Sequence, residues 1–192
     1  MTASTDDRVV FDVDADKRIA TITFNNPNQR NSYDAAMREA VARCLDRVAA
    51  DDDITVVLLR GVDGVFSTGA DMNNAYGWYG GKEEAKKSRP SQRRAVTVDR
   101  KSFGFYHNLM GFPKVTVGEI SGYALGGGFE MALMTDISVI ARDTKIGMPA
   151  TRFLGPALGS LHMFFHRLGP VLARRLLLTG DTIEAGAGEH PR

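Results

Sequence analysis

Residues 120–130 read Ile-Ser-Gly-Tyr-Ala-Leu-Gly-Gly-Gly-Phe-Glu, and this stretch says most about the fold. The apolar, β-branched residues at 115–120 are typical of a strand, three consecutive glycines interrupt the pattern, and the apolar run 129–134 is typical of a helix. We therefore predict a strand, then a turn made of glycines, and then the N-terminus of a helix.

The predicted turn has the chemistry of a corner that stabilises negative charge. Glycine lets a ligand lie against the main chain because no Cβ is in the way. The first N–H groups of a helix have no partner within it and favour an anion. Glu130 lies in the first turn of this helix, so its carboxylate either complements the helix dipole or moves protons.

A second stretch, Val-Phe-Ser-Thr-Gly-Ala-Asp at 65–71, has the same arrangement. The nearly continuous apolar run at 54–59 before it predicts a strand covered on both faces. The turn again consists mostly of small residues, and we predict that it leads into a helix. Two corners of this kind in one chain favour a ligand-binding role over simple tight turns.

Composition excludes several classes of protein. The chain has 192 residues, 43% hydrophobic content and a net charge of +1, which fits one domain with a sizeable core and predicts no binding to nucleic acid or a membrane surface. Apolar runs are too short to span a membrane and the polar N-terminus has no signal-peptide pattern, so we expect a cytoplasmic protein. The single cysteine, Cys44, fits the apolar face of a helix.

The alternation of strand and helix patterns predicts an α/β protein with a largely parallel sheet. A hairpin is expected at 9–24, and Ser32 or Asp34 can cap a helix whose apolar residues follow the i, i+3, i+4 spacing up to Val48. The remaining predicted elements are a helix at 102–110, a strand at 136–141, a short edge strand at 145–149, and helices at 159–168 and 170–178.

Residues 73–100 are polar and of mixed charge. A solvated helix and loop is the simpler interpretation, and a flap whose aromatic residues shape a pocket and whose cations approach phosphates is the alternative. His162 and His166 are four residues apart in a predicted helix, but no acidic partner accompanies them and no metal site is predicted. The chain lacks the dinucleotide-binding and P-loop glycine spacings and the Gly-x-Ser-x-Gly nucleophile elbow.

Together, the stretches at 66–71 and 122–130 resemble the enoyl-CoA hydratase/isomerase family, also called the crotonase superfamily. Segments at 25–31 and 176–180 support the resemblance, and the matches follow the family's order over nearly the whole chain. The resemblance implies a single crotonase-like domain over residues 1–192, built as a spiral of ββα units, with a C-terminal helical part that is short or absent. Sequence repeats that would show the spiral directly are not evident.

The resemblance also implies an active site that acts on an acyl-CoA thioester. Its catalytic groups are the Glu130 carboxylate and the main-chain N–H groups of Ala70 and Gly127, which stabilise the enolate oxygen. Coenzyme A is part of the substrate, so no separate cofactor is implied. The residues expected to bind it are Arg30, Ser67, Thr68, Ala70, Asp71, Gly126 and Gly127.

One feature of the family's hydratases is missing. They carry a second glutamate after a proline further along the chain, and here Ala150 follows Pro149. Hydration of a 2-enoyl-CoA, with the second proton supplied by water, is the default expectation. Isomerisation or another reaction with one carboxylate is the alternative, and a non-catalytic acyl-CoA binder is a third possibility. The family also implies a homotrimer or hexamer.

Overall fold

The computed structural model describes residues 6–72, 92–152 and 161–188. Its strands, in chain order, are β1 (Val9–Asp14), β2 (Ile19–Phe24), β3 (Val56–Gly61), β4 (Val115–Ile120), β5 (Tyr123–Leu125), β6 (Ile137–Ile140), β7 (Lys145–Gly147) and β8 (Thr182–Glu184). Its α-helices are α1 (Ala35–Ala50), α2 (Gln92–Met110), α3 (Gly127–Met134) and α4 (Leu161–Thr179). Short 3-10 helices lie at Pro27–Gln29, Pro149–Arg152 and Ala185–Gly188.

Five strands form one sheet in the order β1-β2-β3-β4-β6. β1 and β2 are an antiparallel hairpin, whereas the pairs β2–β3, β3–β4 and β4–β6 are parallel. The predicted hairpin and the largely parallel sheet are therefore confirmed. Parallel neighbours need a crossover connection, and α1 and α2 lie in two of these connections.

A second sheet contains β5, β7 and β8. Gly122, with φ +59°, turns the chain from β4 in the first sheet to β5 in the second. β7 is paired on both sides, with β5 in parallel and with β8 antiparallel. The strand predicted at 145–149 is present as β7, but its predicted position at the edge of a sheet was wrong. Its second partner, β8, comes from residues 182–184, and no sequence pattern near β7 indicates that pairing.

Helix α1 begins after Asp34, whose side chain accepts a hydrogen bond from Met37 N at 2.9 Å. Asp34, and not Ser32, is therefore the N-cap of α1. The apolar face of the helix has the predicted spacing, and the thiol of Cys44 lies within it. Burial raises the pKa of that thiol, which supports a packing role.

Asp34 also belongs to an ion-pair cluster with Arg8 and Asp6. The Arg8 guanidinium donates to both Asp34 oxygens at 3.0 Å and to both Asp6 oxygens at 2.9 and 2.7 Å. The hydrogen bond from Arg8 is the main cause that lowers the pKa of Asp6. Burial of Asp34 opposes its ionisation, but the hydrogen bonds from Arg8 and Met37 outweigh burial and lower its pKa too.

Asp34 variants are expected to separate the cap from the ion pair. Asp34→Ala loses both and should be about 1 kcal/mol less stable than Asp34→Asn, which keeps a capping oxygen. Because the folded-state pKa of Asp34 lies below its usual 3.8, the ion pair stabilises the protein above that pH and this contribution disappears as the pH falls through the lowered pKa. Urea unfolding of the wild type and Asp34→Asn at pH 7 and below pH 4 should show a stability difference that shrinks in acid. A constant difference would contradict the assignment.

Helix α2 begins at Gln92, earlier than the predicted start at Ser102. Residues 92–94 at its start are exposed and polar and so give no apolar periodicity to mark it, whereas Phe105, Tyr106 and Leu109 near its end are buried. Residues 92–100 of the polar segment are therefore helical, in agreement with the simpler interpretation of a solvated helix and loop. Residues 73–91, on which the alternative of a flap depends, and the helix predicted after residue 71 lie outside the described residues.

Helix α3 is buried over its whole length, and Phe129 packs edge-on against Phe164 of α4 with 5.4 Å between ring centroids. Helix α4 is interrupted at Gly169, where φ is +74°, in agreement with the two helices predicted on either side of that residue. Residues 159 and 160 of the first predicted helix lie outside the described part. Among the described residues, no helix has both the length and the apolar character that crossing a bilayer requires.

Candidate active site

The first corner, defined as residues 67–71, is held against β5. Ser67 N donates to Tyr123 O at 2.9 Å, and Leu125 N donates to Ser67 O at 3.1 Å. The buried Ser67 hydroxyl donates to Asn31 O at 2.7 Å. Main-chain and side-chain bonds together therefore fix the start of this corner.

The opposite side of the first corner is paired with Tyr33. Tyr33 N donates to Gly69 O at 2.9 Å, and Asp71 N donates to Tyr33 O at 2.8 Å, so Ala70 forms a parallel bridge with Tyr33. In a parallel bridge one residue makes both main-chain hydrogen bonds, here Tyr33, and the N–H of the residue opposite it points away from it. The Ala70 N–H therefore points away from Tyr33.

The second corner, defined as residues 126–130, touches the first one main chain to main chain. A Cβ built on Gly69 would lie 2.6 Å from Leu125 O and 2.8 Å from Gly127 N. A Cβ built on Gly128 would lie 2.3 Å from Ser67 O. The glycines at these positions are required by the close approach of the two corners, which the sequence pattern alone did not show.

At this junction two main-chain N–H groups, those of Ala70 and Gly127, are of interest as hydrogen-bond donors. Within the described residues, the hydrogen bonds between main-chain atoms include none donated by Ala70 N or Gly127 N. Gly127 is the first residue of α3, where N–H groups have no intrahelical acceptor, and the ladder starts with Glu130 N donating to Gly126 O at 3.0 Å. The junction therefore presents donors from both corners.

Glu130 lies one turn after Gly127, so the two residues share a face of α3. Only 3% of Glu130 is exposed, and its chain neighbours Phe129 and Met131 are buried. A buried carboxylate is unfavourable unless nearby groups compensate for the lost hydration. The groups around the Glu130 carboxylate therefore determine whether it can be charged and accept a proton.

Two tyrosines that the sequence analysis missed lie beside Gly127. The hydroxyls of Tyr33 and Tyr106 are buried and 2.5 Å apart. A Cβ built on Gly127 would lie 1.9 Å from the Tyr33 oxygen and 2.5 Å from the Tyr106 oxygen. These tyrosines are distant in the sequence, so no local spacing could have linked them.

The residues predicted to bind coenzyme A surround the first corner. Arg30 has φ +51°, and its exposed guanidinium lies over the Tyr123 ring, 5.5 Å from the centroid. Thr68 N donates to Arg30 O at 3.2 Å, which ties the cation to the corner. Asp71 is buried, with 6% of its surface exposed. The structure places Arg30, Ser67, Thr68, Ala70 and Asp71 at the first corner and Gly126, Gly127 and Glu130 in the second corner, and the two corners touch at Gly69 and Gly128.

The strand that precedes Ala150 contacts the second corner. Gly126 N donates to Gly147 O at the end of β7, with a length of 3.0 Å, and the 3-10 helix Pro149–Arg152 follows directly. Ala150 is partly buried against the core. Residues 149–152, where the resemblance places the second carboxylate of the hydratases, contain no acidic residue.

The two histidines of α4, His162 and His166, are both exposed. The His162 ring lies edge-on to His107 with 6.0 Å between centroids. Within residues 6–72, 92–152 and 161–188, no three His, Cys, Asp or Glu side chains come together in a way that could hold a metal ion.

Comparison with known proteins identifies the fold and the family. An enoyl-CoA hydratase of Mycobacterium smegmatis, 30% identical in sequence, superimposes with a TM-score of 0.80 over 93% of this chain and 61% of its own. The α/β architecture is therefore the crotonase-like spiral. The model of the enoyl-CoA hydratase/isomerase family matches residues 14–189, and the chain belongs to that family.

Two curated relatives from Escherichia coli show that the family match does not select a reaction. The protein is 29% identical to a 2,3-dehydroadipyl-CoA hydratase over 174 residues, which are 90% of this chain and 63% of the relative. It is also 29% identical to a 1,2-epoxyphenylacetyl-CoA isomerase over 171 residues, which are 88% of this chain and 62% of that relative. The chain thus spans somewhat less than two thirds of the length of these relatives.

Proposed function

We propose that this chain is an acyl-CoA-processing enzyme that hydrates a 2-enoyl-CoA. The observation that supports this most directly is the contact between the two corners, with Gly69 against Gly127 N and Glu130 one turn further along α3. In this proposal both corners belong to one functional domain that spans the chain.

The proposed reaction adds water across a carbon–carbon double bond. The water oxygen bonds to Cβ while Glu130 takes a proton from that water, and the displaced electron pair places negative charge on the thioester oxygen. The N–H groups of Ala70 and Gly127 stabilise this enolate, each contributing about 3 kcal/mol. Cα then takes a proton from water, and Glu130 returns its own proton to solvent.

The substrate is held through its coenzyme A part. Arg30 is an exposed cation beside the first corner, so it can approach a phosphate group. In this proposal the main chain near Ser67, Thr68 and Ala70 lies along the adenine end, with Asp71, Gly126 and Gly127 next to it. The Ser67 N–H and carbonyl are bonded to Tyr123 O and Leu125 N, so Ser67 acts by fixing the corner.

Isomerisation of an enoyl-CoA is the second candidate. One carboxylate can remove a proton from Cα of a 3-enoyl thioester and return it to Cγ, which moves the double bond without a second acid. The absence of an acidic residue from Pro149–Arg152 favours this reaction.

Variants of Ala150 are expected to separate the two reactions. The wild type should hydrate crotonyl-CoA slowly, and Ala150→Glu should raise kcat for hydration by about tenfold, a fraction of the effect of a well-placed general acid. Ala150→Gln is the matched control with nearly the same shape and no acid, and should give no gain. Isomerisation of a 3-enoyl-CoA is measured on the same three proteins.

Isomerisation that exceeds hydration in the wild type and stays unchanged in Ala150→Glu would favour the second candidate. Tight coenzyme A binding without turnover of either thioester would instead contradict the enzymatic proposal and favour a non-catalytic acyl-CoA binder. A homotrimer or hexamer stays a prediction, which light scattering of the purified protein tests.

A further inference from the structure

Tyr33 contacts both corners of the proposed site, and its main chain contacts the first one. Tyr33 N donates to Gly69 O at 2.9 Å, and Tyr33 O accepts from Asp71 N at 2.8 Å. Gly69 O and Ala70 N belong to one planar peptide group, whose C=O and N–H point in opposite directions. The bond from Tyr33 N therefore fixes the direction of the Ala70 N–H, the first of the two proposed oxyanion donors.

The side chain of Tyr33 contacts the second corner at Gly127, whose N–H is the other proposed donor. A Cβ built on Gly127 would lie 1.9 Å from the Tyr33 hydroxyl oxygen, and a Cα–Cβ bond is about 1.5 Å long, so this oxygen lies within about 3.4 Å of Gly127 Cα. The oxygen thus packs directly against the Cα next to the donor nitrogen. Because the phenol ring is rigid, it keeps a fixed length between the main chain of residue 33 and the second corner.

Tyr106 on α2 holds the hydroxyl end of this side chain. The two hydroxyl oxygens are 2.5 Å apart, and the Tyr106 oxygen lies 2.5 Å from the same built Cβ on Gly127. Both tyrosines are buried, with 4% and 6% of their surfaces exposed. Tyr33 is therefore fixed at both ends, by main-chain bonds at one corner and by a hydrogen bond beside the other.

We infer that Tyr33 is a positioning residue that sets the separation between the Ala70 and Gly127 N–H groups, with Tyr106 holding its hydroxyl end. This inference rests on the proposed function, in which both N–H groups donate to one thioester oxygen. Two donors share one atom only within a narrow range of separations, because N–H···O bonds are weak beyond about 3.2 Å. Tyr33 acts through the main chain of the two corners.

The first test measures thermal stability and needs no turnover. Gly127→Ala should lower Tm by about 5 °C, because the added methyl group meets both hydroxyl oxygens in a packed site. In a Tyr33→Phe/Tyr106→Phe background the same change should lower Tm by less than half as much. Both oxygens are then absent, and the ring carbon Cζ of residue 33, 3.0 Å from the built Cβ, needs to move only slightly. Equal losses in the two backgrounds would overturn the inference whether or not the protein is an enzyme.

The second test observes hydrogen bonding to the thioester oxygen. Butyryl-CoA has no double bond to hydrate, so it can be bound without turnover, and infrared spectroscopy follows its carbonyl when that carbon carries a carbon-13 label. Binding to the wild type should lower the frequency of the carbonyl band, because two donors polarise the bond. Tyr33→Phe should remove about half or more of this shift. A band at the wild-type position in Tyr33→Phe would overturn the positioning role.

Steady-state kinetics with crotonyl-CoA gives the consequence for catalysis. Tyr33→Phe should lower kcat by about tenfold, less than the 10²-fold that a misplacement of about 1 Å can cause. KM should stay within about twofold, because the proposed coenzyme A contacts do not involve the hydroxyl. Unchanged kcat in Tyr33→Phe would contradict the inference.

Phe105→Leu is the control for simple destabilisation. Phe105 is buried on α2 beside Tyr106, with 5.5 Å between ring centroids, and carries no hydroxyl. This variant should lower Tm by several degrees and leave kcat and the carbonyl band as in the wild type. A loss of kcat equal to that of Tyr33→Phe would show that destabilisation alone is responsible and would overturn the positioning role.

The outcomes separate this inference from the proposed function. If butyryl-CoA does not bind and no enoyl-CoA is turned over, but the Tm losses differ between the two backgrounds, the proposed function fails and the spacing role of Tyr33 stands. If enoyl-CoA is hydrated while the Tm losses are equal, the inference fails and the proposed function stands.

Discussion

Glu130→Gln is expected to lower kcat for enoyl-CoA hydration by about 10²- to 10⁴-fold, the range contributed by a positioned general base. The amide has almost the same shape as the carboxylate but cannot accept the proton from water. KM should change little, because Glu130 is buried and is not one of the proposed coenzyme A contacts. Steady-state kinetics with crotonyl-CoA measures both constants.

Glu119→Gln provides the matched control for this substitution. Glu119 is an exposed residue of β4 that faces Arg60, with 3.7 Å between the charged atoms. Its replacement should leave kcat unchanged, since exposed ion pairs contribute little even to stability. Full activity in Glu130→Gln would eliminate both the hydratase and the single-carboxylate isomerase mechanism.

Gly69→Ala is expected to lower kcat by about 10²- to 10³-fold, the effect of losing one main-chain donor to an enolate oxygen. The added Cβ would lie 2.8 Å from Gly127 N and 2.6 Å from Leu125 O, both main-chain atoms that move only with their corner. The two corners must therefore separate, and their N–H groups can no longer share one oxygen. The backbone at position 69 has a φ of +89°, which an alanine adopts only with strain.

Gly64→Ala is the control that separates the effect of a strained left-handed backbone from the effect of the steric contact between the two corners. Gly64 has φ +68°, and a Cβ built there meets nothing within 4 Å. Both alanine variants should lose about 1–2 kcal/mol of unfolding free energy from the left-handed backbone, and only Gly69→Ala should lose turnover. Urea unfolding and kinetics on the two variants measure this, and normal kcat in Gly69→Ala would contradict the proposed shared oxyanion site.

The elements that sequence analysis placed correctly are those encoded by local patterns. The i, i+3, i+4 spacing defines α1, the capping oxygen of Asp34 marks its start, and the glycine run marks the start of α3, which begins at Gly127. Each signal involves residues within a few positions of one another, and steric and hydrogen-bonding rules act at that range. The small-residue corners were likewise recognisable, because close main-chain approach excludes large side chains.

Elements that depend on distant partners were mispredicted or missed. β7 was taken for an edge strand because its pairing with β8 depends on residues far along the chain. The exposed start of α2 has no apolar face, so its helical structure is not marked by hydrophobic periodicity. Nothing about Tyr106 in isolation distinguishes it from an ordinary core aromatic.

The sequence by itself determined the α/β class, the two corners and the candidate carboxylate Glu130, because small residues and periodic apolar positions act locally. Only the tertiary structure decided that Gly69 lies against Gly127 and that the Tyr33 and Tyr106 hydroxyls meet behind them. These contacts join segments whose separation along the chain has no fixed relation to their distance in space. They arise from packing three parts of the fold around one buried helix, and packing is a property of the whole chain.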